Sequence, residues 1–409
     1  MKTALLLVAL VALASCLRVD LETKKLPNEV LKAIEKDIIA GTYKTGTTKE
    51  LLSQMDTSIP LTTDRDSLVN TENPAIDLTN FQDLQYYGPV TIGSEHEVFD
   101  VVYDTGSGWI WATGKGCSGC SANKHQFDPA TSSTYESTGE ERTLRYGKGE
   151  VTGDISVDQI GLPGVQANAR FIPAMNGKDN DGMQSSGIVG LTPVVTDDED
   201  LLVDKLFEQN VIDRREFTTY IGHESERSYI DFGENKEDQS GVTWIDLEFL
   251  ETTDRQIYWS TDFDSVTING EGVDLKYHSS IWDTGTSLIG FNPDDFKVVI
   301  DNLLADFKNP IQSQGLYMVK CSDPADIYSK SISFNFGGLE MEVPASEFII
   351  EQKVLFTKYC IVGLMPINLP GVLLGDSFLR DTRIIHDMEG QRLGVFPRGN
   401  PAKLVKESS

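Results

Sequence analysis

Two stretches of this 409-residue chain carry residue types that could do chemistry as a pair: YDTGSGW at 103–109 and WDTGTSL at 282–288. Each ends an aromatic or β-branched run with Asp-Thr-Gly and continues into a hydroxyl residue. If the two loops face each other, Asp104 and Asp283 cannot both ionise easily, so one proton is shared and the pKa values of the pair split. The ionised carboxylate can then take a proton from a trapped water while the other donates to a carbonyl oxygen. That is acid–base hydrolysis with no metal, no cofactor and no covalent intermediate, and its titration belongs to the pair. The neighbouring residues fit the same account. Gly106 and Gly285 allow tight turns and close backbone approach. Ser107 and Thr286 offer hydroxyls to the outer carboxylate oxygens, and Thr105 and Thr284 can tie one loop to the other. A single Asp-Thr-Gly is an ordinary turn; two matched copies ask for a further reason.

The elements that must position these loops also come twice. GIVGL brings Gly190 86 residues after Asp104, and VLLGD brings Gly375 92 residues after Asp283. Two motifs in the same order at nearly the same spacing imply a duplicated β lobe, and the chain is long enough for two lobes with a core each. From residue 74 onward, short β-rich runs are separated by Gly, Asn and Asp: GPVTIG, FDVVYDTG, GVTWIDLEFL, SISFNFGGLEMEV, EFIIE and RLGVFP. The best helical pattern is DDEDLLVDKLFEQNVI, with Asp197 to Asp200 at the positive end of the helix dipole and Leu202, Leu206 and Phe207 expected on one face. There is no βαβ alternation and no solenoid period.

The first 73 residues have a different texture. Lys2 followed by ALLLVALVALA, within residues 1–15, has the pattern of a secretory signal peptide and is too short to span a bilayer. In residues 16–73, read as a pro-segment, Val30, Leu31, Ile34 and Ile38 fall at helical spacing with Gly41 as a stop, and TTKELLSQM begins a second short helix. Residues 74–250 and 251–409 are then the N-terminal and C-terminal lobes.

A net charge of −28 and a pI near 4.5 exclude a nucleic acid or an anionic membrane surface as partner, and suit a soluble surface that tolerates acid. Beyond Cys16, beside the signal, four cysteines remain: Cys117, Cys120, Cys321 and Cys360. In an oxidising compartment they make two disulfides with three possible pairings, of which Cys117 with Cys120 and Cys321 with Cys360 is favoured here. They lack the second close ligand pair of a zinc site. Neither a G-x-S-x-G elbow nor an H-E-x-x-H helix is present, and no Asn-x-Ser/Thr acceptor offers a glycan for sorting.

With YYGPVTIG, FDPATSSTY, VDKLFEQNVI, IYWSTDFDSVTING and LLGDSFLRDTRIIHDMEGQRLGVFP around the doubled motif, the sequence resembles the pepsin-like family of aspartic endopeptidases, the pepsin and cathepsin D type, from about residue 76 to 397. The resemblance implies an all-β, bilobal fold with two pseudo-symmetric lobes and a central cleft, preceded by a partly helical pro-segment. It implies Asp104 and Asp283 as the catalytic pair. The family's flap hairpin has its counterpart in LRYGKGEVTG, with Tyr146, Gly147 and Gly149; the resemblance puts the Tyr146 hydroxyl against the Trp111 indole and Tyr258 in a primed-side pocket. From the residues alone, Tyr146 and Trp111 are a strand aromatic and a core aromatic.

The chain departs from the family's pattern at several points. Gly108 and Trp109 replace a polar pair, Lys148 and Glu150 put charges on the flap, and Ser185 and Ser186 stand where an aromatic and an acid are frequent. Cys117 and Cys120 lie closer together than the family's usual first disulfide. The resemblance further implies a zymogen acting on polypeptides at acid pH, a monomer without a membrane anchor, bound for a lysosome, a digestive vacuole or the outside of the cell. Its own pro-segment is then an intramolecular inhibitor. Residues 17–49 carry seven Lys or Arg against five Asp or Glu, whereas residues 74–409 carry 26 against 53, so an electrostatic lock sits in the first part of the leader. A catalytically silent relative that binds peptides or carbohydrates or inhibits another enzyme is the other reading, and such proteins usually lose an aspartate or the flap tyrosine.

Overall fold

The computed structural model describes residues 74–396 except 121–123, 148, 179–182, 195–198, 224–225, 249, 251–256, 314 and 355. The chain divides into two units, residues 1–67 with 311–314 and residues 68–310 with 315–409, and the elements that position the site belong to the second. The signal peptide, the leader helices, Lys148, Asp197 and Asp198 lie outside the described residues.

The class is the expected all-β one, with few and short helices. Strand Glu97–Asp104 shows why these sequences make sheet. Phe99, Val101 and Tyr103 point into the main core, at most 3% exposed, while Val98, Asp100, Val102 and Asp104 line the other face. This period-two alternation holds the strand in one register, because a one-residue slip would expose all three core side chains.

The duplicated motifs fold alike. Strand Glu97–Asp104 runs parallel to Gly187–Gly190, with Asp104 beside Gly190, and Gly187–Gly190 runs antiparallel to the next strand, Ile110–Ser118. In the C-terminal half, Ser279–Trp282 runs parallel to Val372–Leu374, which runs antiparallel to Ile289–Phe291. In both halves a returning strand is inserted between the strand that enters the Asp-Thr-Gly loop and the one that leaves it. The insertion explains the glycines. A Cβ at Gly190 would lie 2.5 Å from the Ser107 carbonyl oxygen, and one at Gly375 2.2 Å from that of Thr286, both inside any tolerable contact.

The two halves share one sheet. Thr243–Asp246, Arg392–Val395, Arg383–Asp387, Glu216–Tyr220, Ser228–Phe232 and Ala75–Phe81 pair in that order, and the sheet continues through Gln85–Ile92 into the strands of the first motif. Phe217, Ile230, Phe232, Ile385, Leu393 and Val395 are completely buried in it. The second motif lies in a five-stranded sheet with Ser260–Asp262 and Leu364–Pro366 at its edges.

The helix Leu202–Glu208 forms where its pattern predicts, but its buried face is Leu202, Val203 and Leu206. Phe207 is 37% exposed: one residue on from Leu206 means about 100° around the axis, enough to turn it outward. Asp200 does not cap the helix by its side chain; it accepts the Arg170 N–H at 2.8 Å and pairs with Lys205 at 3.2 Å. A longer helix, Pro293–Leu303, also forms. Its Asn292 side chain caps the Asp294 N–H, proline stands at its first position, and Phe296, Val299, Ile300 and Leu303 face the core.

Candidate active site

Each Asp-Thr-Gly loop organises its own carboxylate through local bonds. The Gly106 N–H donates to Asp104 Oδ1 at 2.8 Å and the Ser107 hydroxyl to Oδ2 at 2.5 Å. The second loop repeats this: Gly285 N–H to Asp283 Oδ1 at 2.8 Å, Thr286 hydroxyl to Oδ2 at 2.7 Å. The loops are joined by their threonines. The Thr105 N–H donates to Thr284 Oγ1 at 3.1 Å and the Thr284 N–H to Thr105 Oγ1 at 3.0 Å. Each threonine hydroxyl continues across, Thr105 to the Trp282 carbonyl at 2.8 Å and Thr284 to the Tyr103 carbonyl at 2.6 Å. The threonine groups that cross between the loops are buried, where a fully satisfied network rigidifies its surroundings.

The threonine lattice brings the two carboxyls together, and the glycines make the room. A Cβ on Gly285 would lie 2.2 Å from Asp104 Oδ1, and one on Gly106 2.6 Å from Asp283 Oδ1. Each glycine is therefore required by the opposite loop's aspartate. Asp104 and Asp283 are 5% and 6% exposed. Burial pushes the Asp104 carboxyl well above the usual range, the Asp283 charge adds to the rise, and the bonds from Ser107 and Gly106 pull the other way. A hydrogen bond to Asp283 also raises it. Two carboxyls held this way, if they share one proton, can accept a proton and donate one in the same step.

Over the first loop lies the hairpin of Glu136–Arg145 and Glu150–Leu162, with Arg145 opposite Glu150. At its turn the Tyr146 N–H donates to the Gly149 carbonyl at 2.8 Å, and Gly147 faces open space. The Tyr146 and Trp111 rings lie 6.4 Å apart, tilted by 46°. Both belong to a small apolar cluster with Val102, Trp109, Leu144, Val151 and Ile188. The buried Trp111 Nε1 has no hydrogen-bond partner among the described residues. Burial raises the Tyr146 phenol far above its ordinary value, and the Asp104 charge raises it further. Tyr258 is half-buried just before strand Ser260–Asp262, its carbonyl accepting from the Ser260 N–H at 2.8 Å.

Two residues near the pair were not singled out from sequence. Asp376, which ends the quoted VLLGD, is 2% exposed, and its Oδ1 has no hydrogen-bond partner among the described residues. Burial lifts its carboxyl well above the usual range; Arg380 opposes that, and the charges of Asp283 and Asp104 add to it. The second is Glu199. A Cβ at Gly108 would lie 2.8 Å from Glu199 Oε2, so the unusual glycine after Ser107 leaves room for a carboxylate from a loop 91 residues further on. Its partner in that departure, Trp109, packs in the cluster under Arg142, whose guanidinium lies 5.3 Å from the ring. Away from the site, Cys117 is bonded to Cys120 and Cys321 to Cys360.

Comparison with known proteins agrees with this geometry. The family model described as eukaryotic aspartyl protease matches residues 85–397. The chain is 26% identical to pepsin A of Suncus murinus, over 97% of this chain and 100% of that protein. It is 28% identical to pepsin-3 of Oryctolagus cuniculus, over 96% and 98%. With vacuolar protease A of Neurospora crassa it shares 26% identity, over 79% of this chain and 81% of the relative.

Proposed function

The chain belongs to the eukaryotic aspartyl protease family, and from that premise we propose that Asp104 and Asp283 are the catalytic pair of an aspartic endopeptidase made as a zymogen and active at acid pH. The single observation that carries the assignment is the reciprocal packing of each carboxyl on the other loop's glycine. It leaves the two acids no separation at which both are comfortably ionised.

In the reaction, the ionised member of the pair takes a proton from a water held between the carboxyls, and the oxygen of that water attacks the peptide carbonyl carbon. The protonated member gives its proton to the carbonyl oxygen. The tetrahedral intermediate collapses as the amide nitrogen receives a proton from one carboxyl and the C–N bond breaks, while the other carboxyl recovers a proton from the gem-diol. The shared proton is restored. Ser107, Thr286 and the two glycine N–H groups hold the four carboxylate oxygens in place, so little reorganisation accompanies the proton transfers. Tyr146, on a hairpin with an open glycine at its turn, closes over the substrate and limits water access.

The remaining parts of the reading follow from the sequence. Residues 1–15 direct export, residues 16–73 inhibit as a pro-segment, and the lobes are residues 74–250 and 251–409. The substrates are polypeptides, the mature protein is a monomer, and its destination is a lysosome, a digestive vacuole or the extracellular space. Among the described residues no helix is long and apolar enough to cross a membrane. The test is Asp104→Asn and Asp283→Asn, assayed on an unfolded protein at about pH 4, where a dyad of this kind holds one proton. Each variant is expected to fold and to lose turnover; retained hydrolysis in either refutes the pair.

A further inference from the structure

The face of strand Glu97–Asp104 that bears the first aspartate continues outward through Val102 to Asp100, because side chains alternate. Tyr87 stands opposite Val102 in the neighbouring antiparallel strand, and Gln85, two residues earlier, shares its side of the sheet. Val102 packs with Trp111, and Tyr146, Tyr87 and Met183 close the cluster. This surface is the ground beneath the flap hairpin, and at its outer end lies a lysine.

Lys124 Nζ donates to the Gln184 carbonyl oxygen. The Gln184 N–H donates in turn to Gln85 Oε1 at 2.8 Å, which anchors the lysine to this face. An ammonium has three donors, and Gln184 is the only hydrogen-bond partner of Lys124 among the described residues. The side chain is half-buried. Its burial lowers the pKa, opposed by the charge of Asp100, and at acid pH the group is cationic. Ser185 and Ser186, small and buried, follow Gln184 where a bulky wall is absent. The four residue steps from Asp104 to Asp100 span about 13 Å. An extended peptide lying along this face therefore brings a side chain to Lys124 within about four residues of the bond being cut.

We propose that Lys124 is a specificity-determining residue that selects polypeptide substrates bearing an acidic side chain within about four residues of the scissile bond. The proposal rests on the endopeptidase reading above. With a net charge of −28 the protein repels acidic peptides at long range, and a half-buried cation with donors to spare reverses that preference where the peptide touches it. The preference also has a pH signature. A glutamate side chain ionises near pH 4.3, so the selection strengthens as pH rises through about that value.

The experiment uses the acid-activated full-length protein and paired peptides that differ by Glu against Gln at each of four positions on either side of a cleavable apolar pair. At about pH 5 the glutamate peptide is expected to show a kcat/KM about five- to tenfold higher at one position, the gain of one close charge pair at a partly screened site. The preference should sit mainly in KM, fade toward about pH 3.5, survive Lys124→Arg and vanish in Lys124→Met. Equal rates on the two peptides, or the same preference in Lys124→Met, overturn the proposal while leaving the protease intact. Loss of turnover on the glutamine peptides in Lys124→Met also overturns it, since the lysine is then structural. A wild-type protein that cleaves none of the peptides refutes the endopeptidase reading, and the proposal with it.

Discussion

His386 is an acid-sensitive feature of the shared sheet. Its ring is 1% exposed, stacked on Phe217 at 4.3 Å with 7° between the planes, and edge-on to Trp259 at 4.9 Å. Nδ1 has no hydrogen-bond partner among the described residues. Burial depresses the pKa from 6.5 to about 3, against a smaller upward pull from the Ile384 and Phe217 carbonyls. Between those two values the unfolded chain binds a proton that the folded chain refuses, so stability falls as pH drops from 6.5 and levels off near 3. Each pH unit in that window is worth about 1.4 kcal/mol, which makes about 3 kcal/mol between pH 6.5 and pH 4 from this one side chain. The perturbation is His386→Phe, which keeps an aromatic ring in the stack and removes the titration. Urea unfolding would be measured for both proteins across that range, in an Asp104→Asn background that prevents self-digestion. The variant is expected to gain on the parent steadily as pH falls, by about 3 kcal/mol at pH 4 relative to pH 6.5. Parallel curves would show that His386 is not held neutral and would refute the reasoning.

Gly285→Ala should leave the sheets intact but push the Asp104 carboxyl aside, because the new Cβ would lie 2.2 Å from its Oδ1. Turnover is expected to fall by about 100-fold or more, with an unchanged circular dichroism spectrum as the control; an alanine variant of near-normal activity would contradict the packing. For the disulfides, Cys321–Cys360 closes a separation of 39 residues and Cys117–Cys120 one of three. On chain entropy, the double serine replacement of the first pair should cost about 4 kcal/mol and of the second about 1.5 kcal/mol. Denaturant midpoints check the order, and equal losses would speak against it.

Much of this protein is legible in its sequence because the relevant forces are local. Strand Glu97–Asp104 announces itself by alternation, and the glycine and hydroxyl that grip Asp104 lie two and three residues away, so their bonds are implicit in the order Asp-Thr-Gly-Ser. The duplication is legible for the same reason, since spacing along the chain preserves it. Phe207 shows where such reading stops. Its apolar character is plain, but which side of a seven-residue helix is buried depends on the strands beneath. The helix Pro293–Leu303 is encoded locally, by Asn-Pro as a start signal and apolar residues at helical spacing.

By itself, then, the sequence determined the β class, the two copies of the motif and the residues that could share a proton. Only the tertiary structure decided that Gly285 makes room for Asp104 and Gly106 for Asp283, partners 181 and 177 residues apart. It also brought Glu199 onto Gly108, buried Asp376 beside the pair, and tied Lys124 to Gln184. The physical reason is that close packing is blind to sequence distance: propensity and periodicity act within a few residues, whereas van der Waals exclusion and Coulomb interaction act on whatever the folded sheets bring together.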